Sequence, residues 1–216
     1  MIVAQNNTEN GEVILRQGPA GYEIIVDGQF LMSTSSGESS MALVELGLAQ
    51  LAPRGRLQLL IGGLGLGFSL ATALASAAVT EVTVIELEAQ IIEWHRRDLL
   101  GGTVWLLDDP RTTILHQDLL KYIDETKNQF DLVALDIDNG PDWLSHEANS
   151  QLYGSKYLRR LQEMLKPQGV LTIWSAAASA ALKQDLGRIF SDIEEIEIAD
   201  HNGEGKQISA FVYVCR

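Results

Sequence analysis

Cysteine is almost missing from this chain of 216 residues. Cys215 alone, set in an apolar run, excludes an internal disulfide and reads as a small buried hydrophobe rather than a reactive thiol. Positive charge is scarce as well. The 16 Lys and Arg stand against 29 Asp and Glu, a formal net charge of -13 that repels phosphate backbones, argues against a nucleic-acid partner and favours a cationic small molecule. No apolar run approaches the roughly 20 residues a membrane span needs, and the polar segment Met1–Asn10 shows no signal peptide. A cytoplasmic protein with no membrane partner is therefore expected. His95, His116, His146 and His201 are scattered and have no cysteine beside them, so the chain offers no metal-ligand spacing; no metal is expected, and these histidines read as surface or packed residues. Neither a Gly-x-Ser-x-Gly elbow nor a Walker lysine is present, which disfavours hydrolase and nucleoside triphosphatase chemistry. Repeats and low-complexity tracts are also absent.

What the chain does have is a glycine loop in an informative place. Leu59-Leu60-Ile61 runs into Gly62-Gly63-Leu64-Gly65-Leu66-Gly67, and the next apolar strand, Val82–Ile85, ends in Glu86. A strand that breaks into glycines before a helix brings bare backbone N–H groups to a ligand, and an acid closing the following strand can accept ribose hydroxyls. Glu86 lies about 20 residues past Gly67, the offset that one helix and one strand impose. The glycines alone would also suit a plain tight turn.

Two regions follow from the pattern. Residues 1–40 read as a small N-terminal β-meander, with strands at Val13–Arg16, Tyr22–Val26 and Gln29–Met32, followed by a polar loop, Ser33–Ser40. Residues 41–216 begin with a helix over Met41–Leu51 and continue as an α/β domain. Strand candidates at Leu57–Ile61, Val82–Ile85, Thr112–Leu115, Leu132–Leu135 and Val170–Trp174 are spaced by helix-length material. Ile193–Ile198 and Ile208–Val214 follow one another as an antiparallel pair. This predicts a Rossmann-like, seven-stranded, mostly parallel sheet with a terminal antiparallel hairpin, closer to S-adenosylmethionine-dependent transferases than to a dinucleotide fold.

Ligands of open parallel sheets bind at the carboxyl ends of the strands. That rule gathers the glycine loop, Glu86, His116-Gln117-Asp118 and Asp136-Ile137-Asp138-Asn139-Gly140. Asp118 suits an adenine amino group and equally suits the N-cap of a helix over Leu119–Ile123. Two acids directly after the apolar run Leu132–Leu135 call for a cation. Trp143 and Trp174 stand near strand ends, as pocket wall or as core.

These pieces resemble the spermidine synthase family, the aminopropyltransferases. The matching segments are Asp27-Gly28-Gln29, Leu60-Ile61-Gly62-Gly63, Val84-Ile85-Glu86-Leu87, Asp109-Pro110-Arg111, Gln117-Asp118, Phe130-Asp131-Leu132-Val133 with Asp136, Leu152–Tyr157 and Leu165–Leu171. The resemblance implies S-adenosylmethionine or its decarboxylated form as co-substrate, a small amine as acceptor, and a homodimer organised by the N-terminal strands. It implies Asp136 as the catalytic acid beside the amine. Gln29, Gly62, Gly63, Gly65, Gly67, Glu86, Leu87, Asp118 and Leu119 would bind the nucleoside, with Glu86 on the ribose and Asp118 on the adenine. Glu38, Asp138, Asn139 and Tyr153 would face the acceptor.

The chain departs from the family pattern at three places. The acid usual inside the glycine loop is Gly65, the Tyr-His pair is replaced within Glu38–Ala42, and Asp-Ser-Ser-Asp-Pro becomes Asp136-Ile137-Asp138-Asn139-Gly140-Pro141. Two other readings stay open. One is a small-molecule methyltransferase, although the acid that commonly opens its glycine motif would fall at Ile61; the other is a nucleoside-binding protein without turnover.

Overall fold

The computed structural model describes residues 1–19, 21–137, 147–201 and 206–216. Asp138, Asn139, Trp143 and His146 lie outside the described residues. Four antiparallel strands open the chain, β1 (Ile2–Thr8), β2 (Gly11–Gly18), β3 (Gly21–Val26) and β4 (Gln29–Ser33), paired in that order. The pattern predicts three of them. β1 escapes a pattern reading because Ile2-Val3-Ala4-Gln5-Asn6-Asn7-Thr8 does not alternate; its backbone ladder to β2, from Ala4 opposite Leu15 to Thr8 opposite Gly11, makes it a strand. Asp27 and Gly28 take φ of 48° and 74° between β3 and β4, the left-handed pair that a two-residue hairpin turn needs.

Helix α1 (Glu38–Leu51) starts a turn before the expected Met41. The apolar spacing that marks a helix begins only with the buried face, whereas the first turn is held from outside: the Ser39 amide donates to Asp200 at 3.0 Å, across 161 residues of sequence.

The rest of the chain builds β5 (Leu57–Gly62), α2 (Phe68–Ala75), β6 (Val79–Glu86), α3 (Ala89–Arg96), α4 (Val104–Asp108), β7 (Thr112–His116), α5 (Leu119–Glu125) and β8 (Phe130–Leu135). A 3₁₀ turn (Glu147–Tyr153), α6 (Ser155–Glu163), β9 (Leu165–Ser175), α7 (Ala180–Leu186), β10 (Ile193–His201) and β11 (Gln207–Cys215) follow. The seven strands lie in the order β10-β11-β9-β8-β5-β6-β7. Pairing is parallel from β9 to β7 and antiparallel for β9–β11 and β11–β10, as expected of the fold class.

Both faces of this sheet are covered, so Leu59–Ile61 of β5 and Leu132–Leu135 of β8 read as continuous apolar runs. One core joins Leu59, Ile61, Val84, Leu132 and Ala134 to α1–α4 and to Val13, Leu15, Ile24 and Val26 of the N-terminal sheet. The other joins Leu60, Val133, Leu135, Leu171 and Ile173 to α5–α7. Cys215 belongs to this second core, and burial pushes its thiol up to about 12.

Gly47 lets α1 approach the sheet, since a Cβ there would stand 2.5 Å from Leu132 Cδ1. A Gly47→Ala change is expected to destabilise the fold by about 1–3 kcal/mol through overpacking, outweighing the ~1 kcal/mol that alanine gains in helix propensity. A thermal melt reads the sign. No helix among the described residues is long and apolar enough to cross a membrane.

Two motif segments turn out to hold the frame. Arg111 donates to the carbonyls of Leu74 (2.8 Å), Ser76 (3.4 Å) and Val79 (3.3 Å), satisfying the end of α2 and the loop after it, and holds the Asp109 carboxyl down at about 2. Asp131, at the opposite end of the sheet from the glycine loop, accepts from Arg54 (2.8 Å), Lys166 (2.9 Å) and the Gln58 amide (2.9 Å).

Candidate active site

Chain order decides where the cleft opens. From β5 the chain moves outward to β6 and β7, then returns to lay β8 on the other side of β5. The carboxyl ends of β5 and β8 therefore flank the point where strand order reverses, the position at which open parallel sheets leave a crevice for a ligand. Gly63 follows β5 there with φ of 92°, and a Cβ on it would stand 2.2 Å from the Asp136 carbonyl oxygen. Glycine is required by both the backbone angle and the approach.

A cleft of about 250 Å³ occupies this position. Gly63, Gly65, Glu86, Leu87, Asp118, Leu119 and Asp136 all line it. Gly62 and Gly67 stand behind, the first as the last residue of β5 and the second as the N-cap of α2 with φ of 88°. Gln29 is exposed at the start of β4, next to Phe30 of the cleft wall. Tyr153 is buried in the core around α6, away from the described lining.

Glu86 is bound more tightly than its strand-end position suggests. One oxygen accepts from the amides of Leu64 (2.8 Å) and Gly65 (3.4 Å), and the other from the amide of Glu88 (2.8 Å). Burial raises its pKa although these amides oppose the rise. A carboxylate offers about four lone-pair sites, so acceptor capacity remains for a hydroxyl. Asp118 caps α5 through the Lys121 amide at 2.9 Å, and it also lines the cleft. Glu88 joins the cleft to the N-terminal sheet by accepting from Asn10 Nδ2 at 2.8 Å.

Asp136 sits at the centre. Its Oδ2 accepts from the Ser69 hydroxyl at 2.7 Å, and its own amide donates to the Gly62 carbonyl at 2.8 Å. Burial lifts its pKa, the hydroxyls of Ser69 and Ser40 oppose the lift, and the charge of Asp200 adds to it.

Asp200, Ser39, Ser40, Met32 and Trp174 also line it. Trp174 is the wall residue that its strand-end position suggested, and its indole N–H donates to Ser39 Oγ at 2.8 Å. Ser39 and Ser40 fall in the segment expected to be loop; they are the buried first turn of α1. Asp200 gave only a weak signal, an acid ending the apolar alternation of β10. It is 4% exposed and accepts from the Ser39 hydroxyl and amide and from the His201 amide.

Glu38 is exposed and lies beside this acid. Glu38, Asp200 and His201 bring ligand atoms within 4.8 Å of one another, close enough to hold a cation, where the scattered histidines had suggested no such group. Local spacing could not reveal it, because α1 and the end of β10 meet only in the fold. Among the described lining residues none is lysine or arginine, whereas Glu86, Glu88, Asp118, Asp136 and Asp200 all carry carboxyls. Ser36, Ser39, Ser40, Gln117 and His201 add polar groups, and much of the remaining wall is apolar, with Val26, Phe30, Leu31 and Met32 supplied by the N-terminal sheet. Such a site suits a ligand with an apolar or aromatic body, hydroxyls and positive charge.

Residues 40–190 match the family described as spermine/spermidine synthase domain. The chain is 26% identical over 178 residues to the polyamine aminopropyltransferase of Saccharolobus solfataricus, covering 82% of this chain and 57% of that one. It is 28% identical over 181 residues to polyamine aminopropyltransferase 2 of Pseudomonas aeruginosa, covering 79% and 50%. The chain thus spans about half the length of the curated relatives it matches. A spermidine synthase solved with the transition-state analogue AdoDATO superposes with a TM-score of 0.80 over 99% of this chain and 73% of that one, at 19% identity. The spermidine synthase of Thermotoga maritima gives 0.79 over 99% and 72%, at 17% identity. These two likenesses support the fold.

Proposed function

The chain belongs to the spermine/spermidine synthase family, and from that premise we propose that it is a transferase moving an aminopropyl-type group from decarboxylated S-adenosylmethionine to a small-molecule amine. The observation that carries this reading is Asp136, a carboxyl raised by burial at the centre of a cleft lined by acids. The donor supplies a sulfonium, whose adjacent carbon bonds to the amine nitrogen as the carbon–sulfur pair returns to sulfur, leaving methylthioadenosine.

The chain's own groups do the rest. Gly63 and Gly65 bring bare backbone to the nucleoside, Glu86 accepts from the ribose, and Asp118 takes the adenine amino group. Leu87 and Leu119 pack on the ring, with Gln29 at the rim. Asp136 removes the proton from the attacking amine, which is mostly protonated at neutral pH, and a base with a raised pKa is better matched to that proton. Asp200, with Glu38 beside it, holds the acceptor's second positive charge. Asp138 and Asn139 remain proposed acceptor contacts, whereas Tyr153, buried around α6, is not placed to be one.

The protein is further proposed to be cytoplasmic and a homodimer through its N-terminal sheet, where Ile2 is 54% and Phe30 39% exposed. An N-terminal subdomain of residues 1–40 would thus serve both the interface and the cleft wall.

One observation favours a second reading, a methyltransferase using S-adenosylmethionine. A Cβ on Gly65 would stand 2.5 Å from Met32 Sδ, so an apolar thioether occupies the place where the family pattern sets an acid. Calorimetry with methylthioadenosine and S-adenosylhomocysteine, paired with assays of amine acceptors, separates the two. Tighter binding of methylthioadenosine with aminopropyl product is the expected result. The reverse order with methylated product would establish the second reading, and binding with no product from any acceptor would leave a nucleoside-binding protein. Asp200→Asn is expected to raise KM for a diamine roughly tenfold, about one charge-assisted hydrogen bond, with kcat nearly unchanged; equal KM values would place the second charge elsewhere.

A further inference from the structure

Beneath the glycine loop lies a histidine that the proposed chemistry leaves unused. His95, on α3, is 0% exposed, and its Nε2 lies 2.8 Å from the carbonyl oxygen of Gly65. A carbonyl only accepts, so Nε2 must donate and the proton sits there. Nδ1 is buried with no partner among the described residues. As an unprotonated acceptor it costs one lost hydrogen bond, whereas as a charged donor it would cost far more in these surroundings. Burial accordingly lowers the pKa of this ring.

The bond matters because of what lies across the same peptide. The Gly65 carbonyl and the Leu66 N–H belong to one planar trans unit and point in opposite directions. With the carbonyl drawn down to His95, the Leu66 N–H is aimed at the N-terminal sheet, where it meets Met32 Sδ at 3.1 Å. Glu86 fixes the preceding amides of Leu64 and Gly65. Gly63, Gly65 and Gly67 all have φ between 48° and 92°. Gly65 leaves its side of this peptide free to turn, whereas Leu66 favours negative φ on the other side, so the partner on the carbonyl adds to the preference of Leu66 in setting the direction. The same ring packs under Gly67, where a Cβ would stand 3.2 Å from His95 Cε1 and 2.6 Å from Leu106 Cδ1.

We infer that His95 is a positioning residue that latches the Gly65–Leu66 peptide in one orientation, and that this latch shapes the cleft for a nucleoside. The second half rests on the nucleoside-binding reading above; the first does not. His95 itself does not touch the ligand. It works through the loop, which without this bond would be held in the binding orientation by the preference of Leu66 alone and would leave it more often.

Hydrogen exchange over residues 60–70 of the ligand-free protein tests the latch, and calorimetry with methylthioadenosine tests its consequence. His95→Leu is expected to speed exchange of the loop amides about tenfold and to weaken methylthioadenosine about tenfold, the scale of one hydrogen bond. His95→Gln places an amide donor at the position of Nε2 and is expected to restore both to within about threefold. A merely structural histidine would lose Tm in both variants without that rescue, which overturns the inference, as does unchanged exchange in His95→Leu. In wild type, 15N correlation spectra should show the Nε2–H tautomer, a result that needs no variant, and the opposite tautomer would refute the latch. Wild type that fails to bind methylthioadenosine while the exchange results hold would sink the nucleoside reading and the consequence drawn from it, and leave the latch standing.

Discussion

Asp136→Asn is expected to lower turnover with an amine acceptor by about 10²–10⁴-fold, the range of a lost general base, while methylthioadenosine affinity changes less than about threefold, under 1 kcal/mol. The asymmetry follows from position. Asp136 directly follows β8, whereas the proposed nucleoside contacts come from the loop after β5 and from the ends of β6 and β7. Asparagine keeps an oxygen that can accept from Ser69 and loses only the site that takes a proton. Steady-state kinetics and calorimetry on the same preparation read the two quantities, and equal loss in both would mean that Asp136 shapes the cleft instead of acting on the amine.

The pH dependence of the same residue runs in opposite directions for activity and for stability. Burial raises the folded pKa of Asp136 above its unfolded value. Such a group contributes stability that is fully present below the unfolded pKa and is lost as pH rises through the folded one. Turnover needs the ionised form, so it should climb across that same upper window, above the ordinary carboxylate range. The site is therefore least favourable to the fold where it is most active. Asp136→Asn should raise Tm at neutral pH and flatten the acidic limb of the rate profile. Asp131 and Asp200 have the other sign. Burial alone would raise them, but their hydrogen-bonding partners hold them below the usual range, so they contribute above the unfolded pKa and lose that contribution in acid.

Residues that share a strand or a loop were legible from the chain itself. Continuous apolar runs mark β5 and β8 because both of their faces are covered, and helix-length spacing forces parallel neighbours, which set the strand ends together. The cleft's glycines, Glu86, Asp118 and Asp136 follow from that rule. What local pattern could not show lies across long separations. Asp200 reaches Ser39 from 161 residues away, Met32 reaches Leu66 from 34, and His95 reaches Gly65 from 30. Each is an ordinary residue in its own segment and acquires its role through packing. β1 was missed for a related reason, since a partly exposed strand held by backbone pairing carries no apolar alternation. The matching segments also mix two kinds of residue. Asp109, Arg111 and Asp131 hold the frame, while Glu86 and Asp136 face the cleft, and a motif alone does not separate them.

Glu86→Ala is expected to weaken methylthioadenosine by about 10²-fold or more, and two separate losses contribute. A charge-assisted hydrogen bond to a ribose hydroxyl is worth about 1.5–3 kcal/mol, and at about 1.4 kcal/mol per tenfold this alone accounts for one to two decades. The second loss lies in the loop. Alanine leaves the amides of Leu64, Gly65 and Glu88 without their acceptor, at roughly 1–3 kcal/mol for each donor that stays buried. Water reaching the emptied space would satisfy part of this, and removing a carboxyl that burial disfavours returns some stability. The melting point should therefore fall by less than three lost bonds imply, while affinity falls by more than the ribose bond alone. Glu86→Gln discriminates between the two contributions, because its single carbonyl oxygen can serve the loop or the sugar but presents an N–H to the other. Affinity intermediate between wild type and Glu86→Ala is the expected order. Glu86→Ala binding as tightly as wild type would show that the sugar is held elsewhere and that this acid serves only the loop.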